Sequence, residues 1–264
     1  MNLSISNIAW DSENNSEVYQ LLKKYKYTGI EIAPTIWFPE NPYDNIINAQ
    51  KLSNDLENNL NLRIFSMQSI CYGKTENIFG TEFEYRNLLN YTKQSIDFAH
   101  SINCPNIVFG CPKNRIISSE DQVIRAYEFF NELGNYASNK NVVISIEPNP
   151  TIYGTNFLNT TKQVIDFIKE LKHPNILLNV DLGTIIYNNE SLDILRTNSN
   201  LIGHIHLSEP NLERLNVNER YTELITLVHD IEYSKCLSIE MKKQSLTDLE
   251  ETLKEVSEVF YGFK

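Results

Sequence analysis

Four consecutive apolar runs in the second half of the chain each end on a side chain that can ligate a metal or move a proton. They read Val142-Val143-Ile144-Ser145-Ile146-Glu147, Ile176-Leu177-Leu178-Asn179-Val180-Asp181, Ile202-Gly203-His204-Ile205-His206 and Cys236-Leu237-Ser238-Ile239-Glu240. If each terminal residue faces one side of an extended segment, so does the residue two before it. Those residues are Ser145, Asn179, His204 and Ser238, all polar, whereas Ile146, Val180, Ile205 and Ile239 between them are apolar. The same phase holds on all four runs, so Glu147, Asp181, His206 and Glu240 can converge. Three carboxylates and an imidazole at one place repel unless a cation neutralises them. Oxygen-rich ligation with one nitrogen suits Mn²⁺, Co²⁺ or Mg²⁺, with Zn²⁺ also admissible.

The elements that must hold these residues follow from hydrophobic patterning. Short Ile/Val-rich runs near 3–9, 29–33, 62–68, 106–111, 142–147, 176–181, 201–207 and 236–240 read as strands. Amphipathic stretches near 16–26, 43–60, 82–102, 119–139, 158–172, 190–197, 217–230 and 245–259 read as helices. Eight strands alternating with eight helices predict a (β/α)8 TIM barrel, an α/β fold filling one domain over residues 1–264. Active sites of such barrels lie at the C-terminal ends of the strands, where the four residues fall. The length of 264 residues fits this size class. None of the nine glycines forms a Gly-x-Gly, and no Walker loop or Gly-x-Ser-x-Gly elbow occurs, which removes the nucleotide-fold and α/β-hydrolase readings.

Thirty-four acidic against 23 basic side chains give a net charge of −11, which argues against a nucleic-acid or anionic-membrane partner. The N-terminus shows no signal-peptide pattern and no apolar run is long enough for a membrane span. Cys71, Cys104, Cys111 and Cys236 make no Cys-x-x-Cys pair and read as thiols of a reducing cytosol, so a cytoplasmic location is expected.

The strand-end segments resemble the sugar phosphate isomerase/epimerase superfamily with the xylose isomerase-like TIM barrel, and within it the ketose 3-epimerases. A narrower likeness, to uncharacterised members associated with bacterial surface-polysaccharide genes, is carried by four segments. These are Ser66-Met67-Gln68-Ser69, Val108-Phe109-Gly110-Cys111-Pro112-Lys113-Asn114-Arg115, Glu147-Pro148-Asn149-Pro150 and His206-Leu207-Ser208-Glu209-Pro210. The resemblance implies one divalent metal ion, Mn²⁺ foremost, on Glu147, Asp181, His206 and Glu240. It implies proton abstraction beside a carbonyl through a metal-stabilised enediolate, with Glu147 and Glu240 on opposite sides of a small sugar or sugar phosphate. Return of the proton to the same carbon epimerises; return to the neighbouring carbon isomerises. A homodimer is also an expectation from this type.

Two positions depart from the family pattern. Thr184 stands where many relatives carry a histidine, and Tyr153 where ketose epimerases carry a second glutamate, so the substrate is expected to differ more than the metal site. Further substrate-binding candidates are Glu31 and Gln68 at the ends of strands two and three, Lys113 and Arg115 after strand four, and Glu209 after strand seven. Lys113 and Arg115 suit a phosphate or carboxylate. His204 reads as an interior hydrogen-bonding histidine, and Trp37, Phe38 and Tyr72 as a wall for a sugar or as mutual packing. An inosose-type dehydratase uses the same metal and first step, and a non-catalytic sugar-binding barrel is the other alternative. A metal-cluster nuclease needs more strand-end histidines than His204 and His206, the others being His100, His173 and His229.

Overall fold

Period-two runs of branched residues pair side by side because both faces of the resulting strands can be buried. A computed structural model describes residues 1–262 of the protein. Its strands are β1 (Asn2–Ser6), β2 (Gly29–Ile32), β3 (Arg63–Met67), β4 (Asn106–Phe109), β5 (Val143–Ile146), β6 (Ile176–Asp181), β7 (Ile202–Ser208) and β8 (Cys236–Glu240). They form one closed parallel barrel in chain order, with β1 pairing β8 through Leu3 and Leu237. This is the (β/α)8 TIM barrel expected from the alternation.

The helices are α1 (Asn15–Lys24), α2 (Pro34–Trp37), α3 (Ile46–Leu60), α4 (Glu82–Ser101), α5 (Val123–Ser138), α6 (Thr161–Leu171), α7 (Leu182–Asn188), α8 (Asp193–Arg196), α9 (Glu219–Asp230) and α10 (Leu246–Gly262). Capping boxes start α4, with Thr81 and Glu84, and α6, with Thr160 and Gln163. In α10, Leu249, Leu253, Val256 and Phe260 lie on the buried stripe, following the 3.6-residue period. Among the described residues, no helix is long and apolar enough to cross a membrane.

Outward strand residues such as Ile146, Val180, Ile205 and Ile239 are fully buried beneath the helices. The inward residues are unlike the branched apolar layers that usually fill such barrels. Ser4, Ser66, Ser145, Asn179 and Ser238 are all fully buried there. They are linked rather than orphaned. Asn106 Nδ2 donates to Ser66 Oγ at 2.8 Å, and Ser145 Oγ donates to Asn106 Oδ1 at 2.6 Å. A hydrogen-bonded polar interior of this kind, in which Asn179 Oδ1 and His204 Nε2 lack partners, fixes side-chain orientation toward the barrel mouth. Gly203 keeps this layer closed, because a Cβ there would lie 2.2 Å from Ser145 Oγ.

Three elements differ from the sequence expectation. The first strand stops at Ser6, where Asn7–Ala9 turn into a 3-10 helix. The helix expected near 190–197 is the single turn α8, while α7 begins directly after β6. Asp181 both ends the strand and caps this helix by accepting a bond from Thr184 N, and seven residues starting Leu-Gly are too few to show a helical period. The third is α2, one turn directly after β2.

Candidate metal centre

Barrel closure brings the ends of β5 to β8 together. Ligand atoms of Glu147, Asp181, His206 and Glu240 lie within 4.8 Å of one another, and all four side chains are buried. His206 organises the group. Its Nδ1 is 2.9 Å from Glu147 Oε1 and 3.1 Å from Glu240 Oε2. Its Nε2 is 3.1 Å from Glu31 Oε1. With an ion bound, a proton on Nε2 donated to Glu31 would leave the Nδ1 lone pair facing the cluster, the arrangement that orients metal-ligating histidines.

The carboxylates are held unequally. Glu147 Oε1 also accepts from Asn179 Nδ2 at 2.8 Å, and its Oε2 accepts from Asn149 Nδ2 at 2.9 Å. Asp181 Oδ1 accepts from Thr184 N and its Oδ2 from Ser208 Oγ, both at 2.6 Å. Glu240 meets His206 and no second side-chain donor among the described residues. Gly110 gives Glu147 its space, since a Cβ there would come within 2.5 Å of Oε2.

Burial shapes the charge of every member. It lifts Glu240 to about 7, opposed by His206 and reinforced by Glu147 and Asp181. Asp181 is raised by burial and then by Glu147. Burial also pushes Glu147 upward, but the hydrogen bond and charge of His206 outweigh it and leave the carboxyl below its ordinary value. His206 is opposed by burial yet driven well above its ordinary value by Glu31 and Glu240. Apart from Arg115 behind Glu147, the protein's own groups neutralise the cluster only by retaining protons. Hard oxygen donors, one imidazole and a shortage of positive charge fit a divalent cation.

A cleft of about 170 Å³ opens over the cluster, bounded by Gln68, Ser69, Cys111, Asn149, Tyr153 and Leu212 among others. Of the other candidates, Gln68 borders the cleft and donates to Ser6 Oγ at 3.0 Å. Glu31 is fully buried below His206, with His204 Nε2 at 3.2 Å and Ser238 Oγ at 3.3 Å, so it faces the imidazoles instead of a substrate. Glu209 is half-buried outside the cleft and accepts from Tyr221 OH at 2.9 Å. Lys113 is exposed and outside the cleft lining. Arg115 has no exposed donor for an anion, because it is fully buried against the loop that follows β5. His204 is buried in the interior, but its Nε2 approaches Glu31 Oε1 at 3.2 Å without forming a hydrogen bond, so the hydrogen-bonding role expected of it is not met at that nitrogen.

Of the two readings of the loop aromatics, mutual packing holds for Trp37 and Phe38. Trp37 and Phe38 pack edge to face on each other, Phe38 also meets Phe98, and Tyr72 is exposed. Tyr153 borders the cleft instead, with its hydroxyl accepting from Asn211 N at 2.9 Å. Thr184 is buried and donates to the Pro148 carbonyl at 2.9 Å. Two participants were not singled out from sequence, Asn149 and Ser208. Each lies two residues beyond a proposed ligand, so the period-two rule carried past the strand end would have found them.

Comparison with known proteins agrees with this architecture. The structure superposes on 3-keto-D-glucoside 4-epimerase from E. coli with a TM-score of 0.77, at 16% identity and covering 98% of each chain. D-psicose 3-epimerase from Clostridium cellulolyticum H10 gives a TM-score of 0.82 at 15% identity, covering 100% of this chain and 99% of that one. A Bacillus anthracis protein named the probable 3-DHS dehydratase of petrobactin synthesis gives 0.70 at 14% identity, covering 98% of each. At these identities the likeness speaks for the fold. No curated protein matches the chain by sequence. The family described as the xylose isomerase-like TIM barrel matches residues 19–262, and the chain belongs to that family.

Proposed function

We propose that the protein is a divalent-metal-dependent isomerase or epimerase of small sugars. The observation that carries this reading is the placement of Glu147 and Glu240 against the same nitrogen of His206, at 2.9 and 3.1 Å, with Asp181 completing the donor set. Glu147, Asp181, His206 and Glu240 would hold the ion, with Mn²⁺ as first choice and Co²⁺, Mg²⁺ and Zn²⁺ as alternatives. When bound, such an ion supplies positive charge to the oxygens that become negative as a proton leaves the carbon beside a carbonyl.

The remaining work falls to the chain's own groups. Glu240, which burial lifts to about 7 while no ion is bound, would give up that proton on ion binding and then face the substrate as a carboxylate able to take or return one. Glu147, kept ionised by His206 and Asn149, is the opposing carboxylate. Gln68, Ser69 and Asn149 offer neutral partners to sugar hydroxyls at the cleft wall. Among the described residues, no lysine or arginine borders the cleft, which favours an uncharged sugar over a phosphorylated one. Tyr153 and Thr184 make the hydroxyl contacts of the ketose epimerases a poor guide to which sugar.

A dehydratase is the second reading, favoured by the shared fold of the Bacillus anthracis protein and by the common first proton removal. A cytosolic location and a homodimer go with the first reading as expectations.

Incubation with a panel of free and phosphorylated ketoses in heavy water with Mn²⁺ tests the proposal. Deuterium should enter a single carbon of one uncharged ketose. Loss of a hydroxyl with formation of a double bond would instead identify the dehydratase. A sugar that binds without exchange, together with Glu147→Gln and Glu240→Gln proteins that behave as wild type, would sink the catalytic reading.

A further inference from the structure

Behind Glu147 stands a cation that the proposed chemistry does not use. Arg115 is 0% exposed and is among the largest fully buried side chains. Its Nη2 donates to the Glu147 carbonyl at 2.7 Å and to Asn149 Oδ1 at 2.5 Å. Asn149 Nδ2 then donates to Glu147 Oε2 at 2.9 Å. The Arg115 carbonyl is itself fixed by Thr155 Oγ1 at 2.8 Å, so the loop after β4 is tied to the loop after β5. Nε and Nη1 of Arg115 are buried without a hydrogen-bond partner.

A guanidinium with unmet buried donors is an expensive way to stabilise a fold. What it does well is orient an amide. Turned over, the Asn149 side chain would set its oxygen against the Glu147 carboxylate and its NH₂ against the guanidinium, two repulsive contacts. Arg115 leaves one orientation, with the NH₂ on Glu147 Oε2. That oxygen is confined on another side by Gly110, where a Cβ would approach to 2.5 Å. With Oε2 fixed, Oε1 is directed to His206 Nδ1 at 2.9 Å and Asn179 Nδ2 at 2.8 Å.

We propose that Arg115 is a positioning residue which, by locking the Asn149 amide, aims the Glu147 carboxylate at the metal position and so sets divalent-ion affinity. The proposal rests on the metal-centre reading of the preceding subsection. Groups that orient a ligand in this way typically change metal affinity by 10–100-fold when removed.

Calorimetric titration of the full-length, chelator-stripped protein with Mn²⁺ tests it, with circular dichroism to verify folding. Arg115→Met and Asn149→Ala should each weaken Mn²⁺ binding by roughly 10–100-fold. The double variant should be no weaker than the worse single one, because the two act in series. Arg115→Lys should recover most of the affinity, since an ammonium can donate to both oxygens that Nη2 now serves. A purely structural arginine would lower thermal stability and leave the affinity of the folded protein unmoved. A Mn²⁺ affinity within about twofold of wild type for folded Asn149→Ala or Arg115→Met, or losses that simply add in the double variant, would overturn the proposal. Should Arg115→Met not fold, Asn149→Ala decides it. A wild-type protein that binds no Mn²⁺ would remove the metal centre itself, and the role of Arg115 with it, a result distinct from variants that match a binding wild type.

Discussion

The half of the barrel built from β1–β4 and the half built from β5–β8 use equivalent inward positions differently. In the first half these positions hold Ser4, Ser6, Ser66, Gln68 and Asn106, neutral hydrogen-bonding groups, with Glu31 the exception. In the second, Glu147, Asp181, His204, His206 and Glu240 stand beside the neutral Ser145, Asn179 and Ser238. The second half supplies the candidate ligands together with most of the groups that hold them, Asn149, Asn179, Thr184 and Ser208. The exception proves instructive, because Glu31 reaches across the interior to His206 Nε2 at 3.1 Å and belongs functionally to the opposite half. A carboxylate can thus serve a metal site without touching a metal, by setting which ring nitrogen is free.

Substitutions can test this division, beginning with the largest effect. Glu147→Gln or Glu240→Gln should lower turnover of the exchanging sugar by about 10²–10⁴-fold with an unchanged circular dichroism spectrum. Chelation should abolish turnover, and Mn²⁺ or Co²⁺ should restore it, followed by the same exchange assay. Glu31→Gln should behave as a second-half substitution and weaken Mn²⁺ binding by about 10-fold or more in a titration. Retained affinity in that variant would show the halves to be independent after all.

Acidity supplies a milder perturbation. A proton held by Glu240 up to about 7, and the one His206 keeps well above its ordinary range, both compete with the ion, so apparent Mn²⁺ affinity should fall as pH drops. A pH series of titrations measures this, and an affinity constant from pH 8 to pH 5 would contradict it. The smallest effect on the metal centre is expected from Ser66→Ala. It strips the acceptor of Asn106 Nδ2 and should cost about 1–3 kcal/mol of stability in denaturant unfolding, while Mn²⁺ affinity stays as in wild type.

How much of this the sequence carried depends on how local the cause is. The strands were legible to within a few residues, because apolar alternation is a property of each run alone. The convergence of Glu147, Asp181, His206 and Glu240 was legible for the same reason, once all four runs shared a phase. Arg115 was not. It and Lys113 sit in one loop and look alike in sequence, yet Lys113 is exposed while Arg115 is buried by partners from the next loop, Glu147, Asn149 and Thr155. For Trp37 and Phe38 the sequence left a sugar wall and mutual packing both open, and the contact of Phe38 with Phe98 on α4 goes with packing. Helix α7 escaped because its cap is itself a strand residue and a proposed ligand.

Gly110 offers a handle of a different sort. The atom that an added methyl would strike is the tip of a flexible carboxylate rather than backbone, so Gly110→Ala displaces Glu147 with little demand on the barrel around it. A protein carrying that change keeps every acidic and imidazole side chain of the mouth, together with the chain's charge. It would serve as a matched control in which composition is constant and only aim is lost.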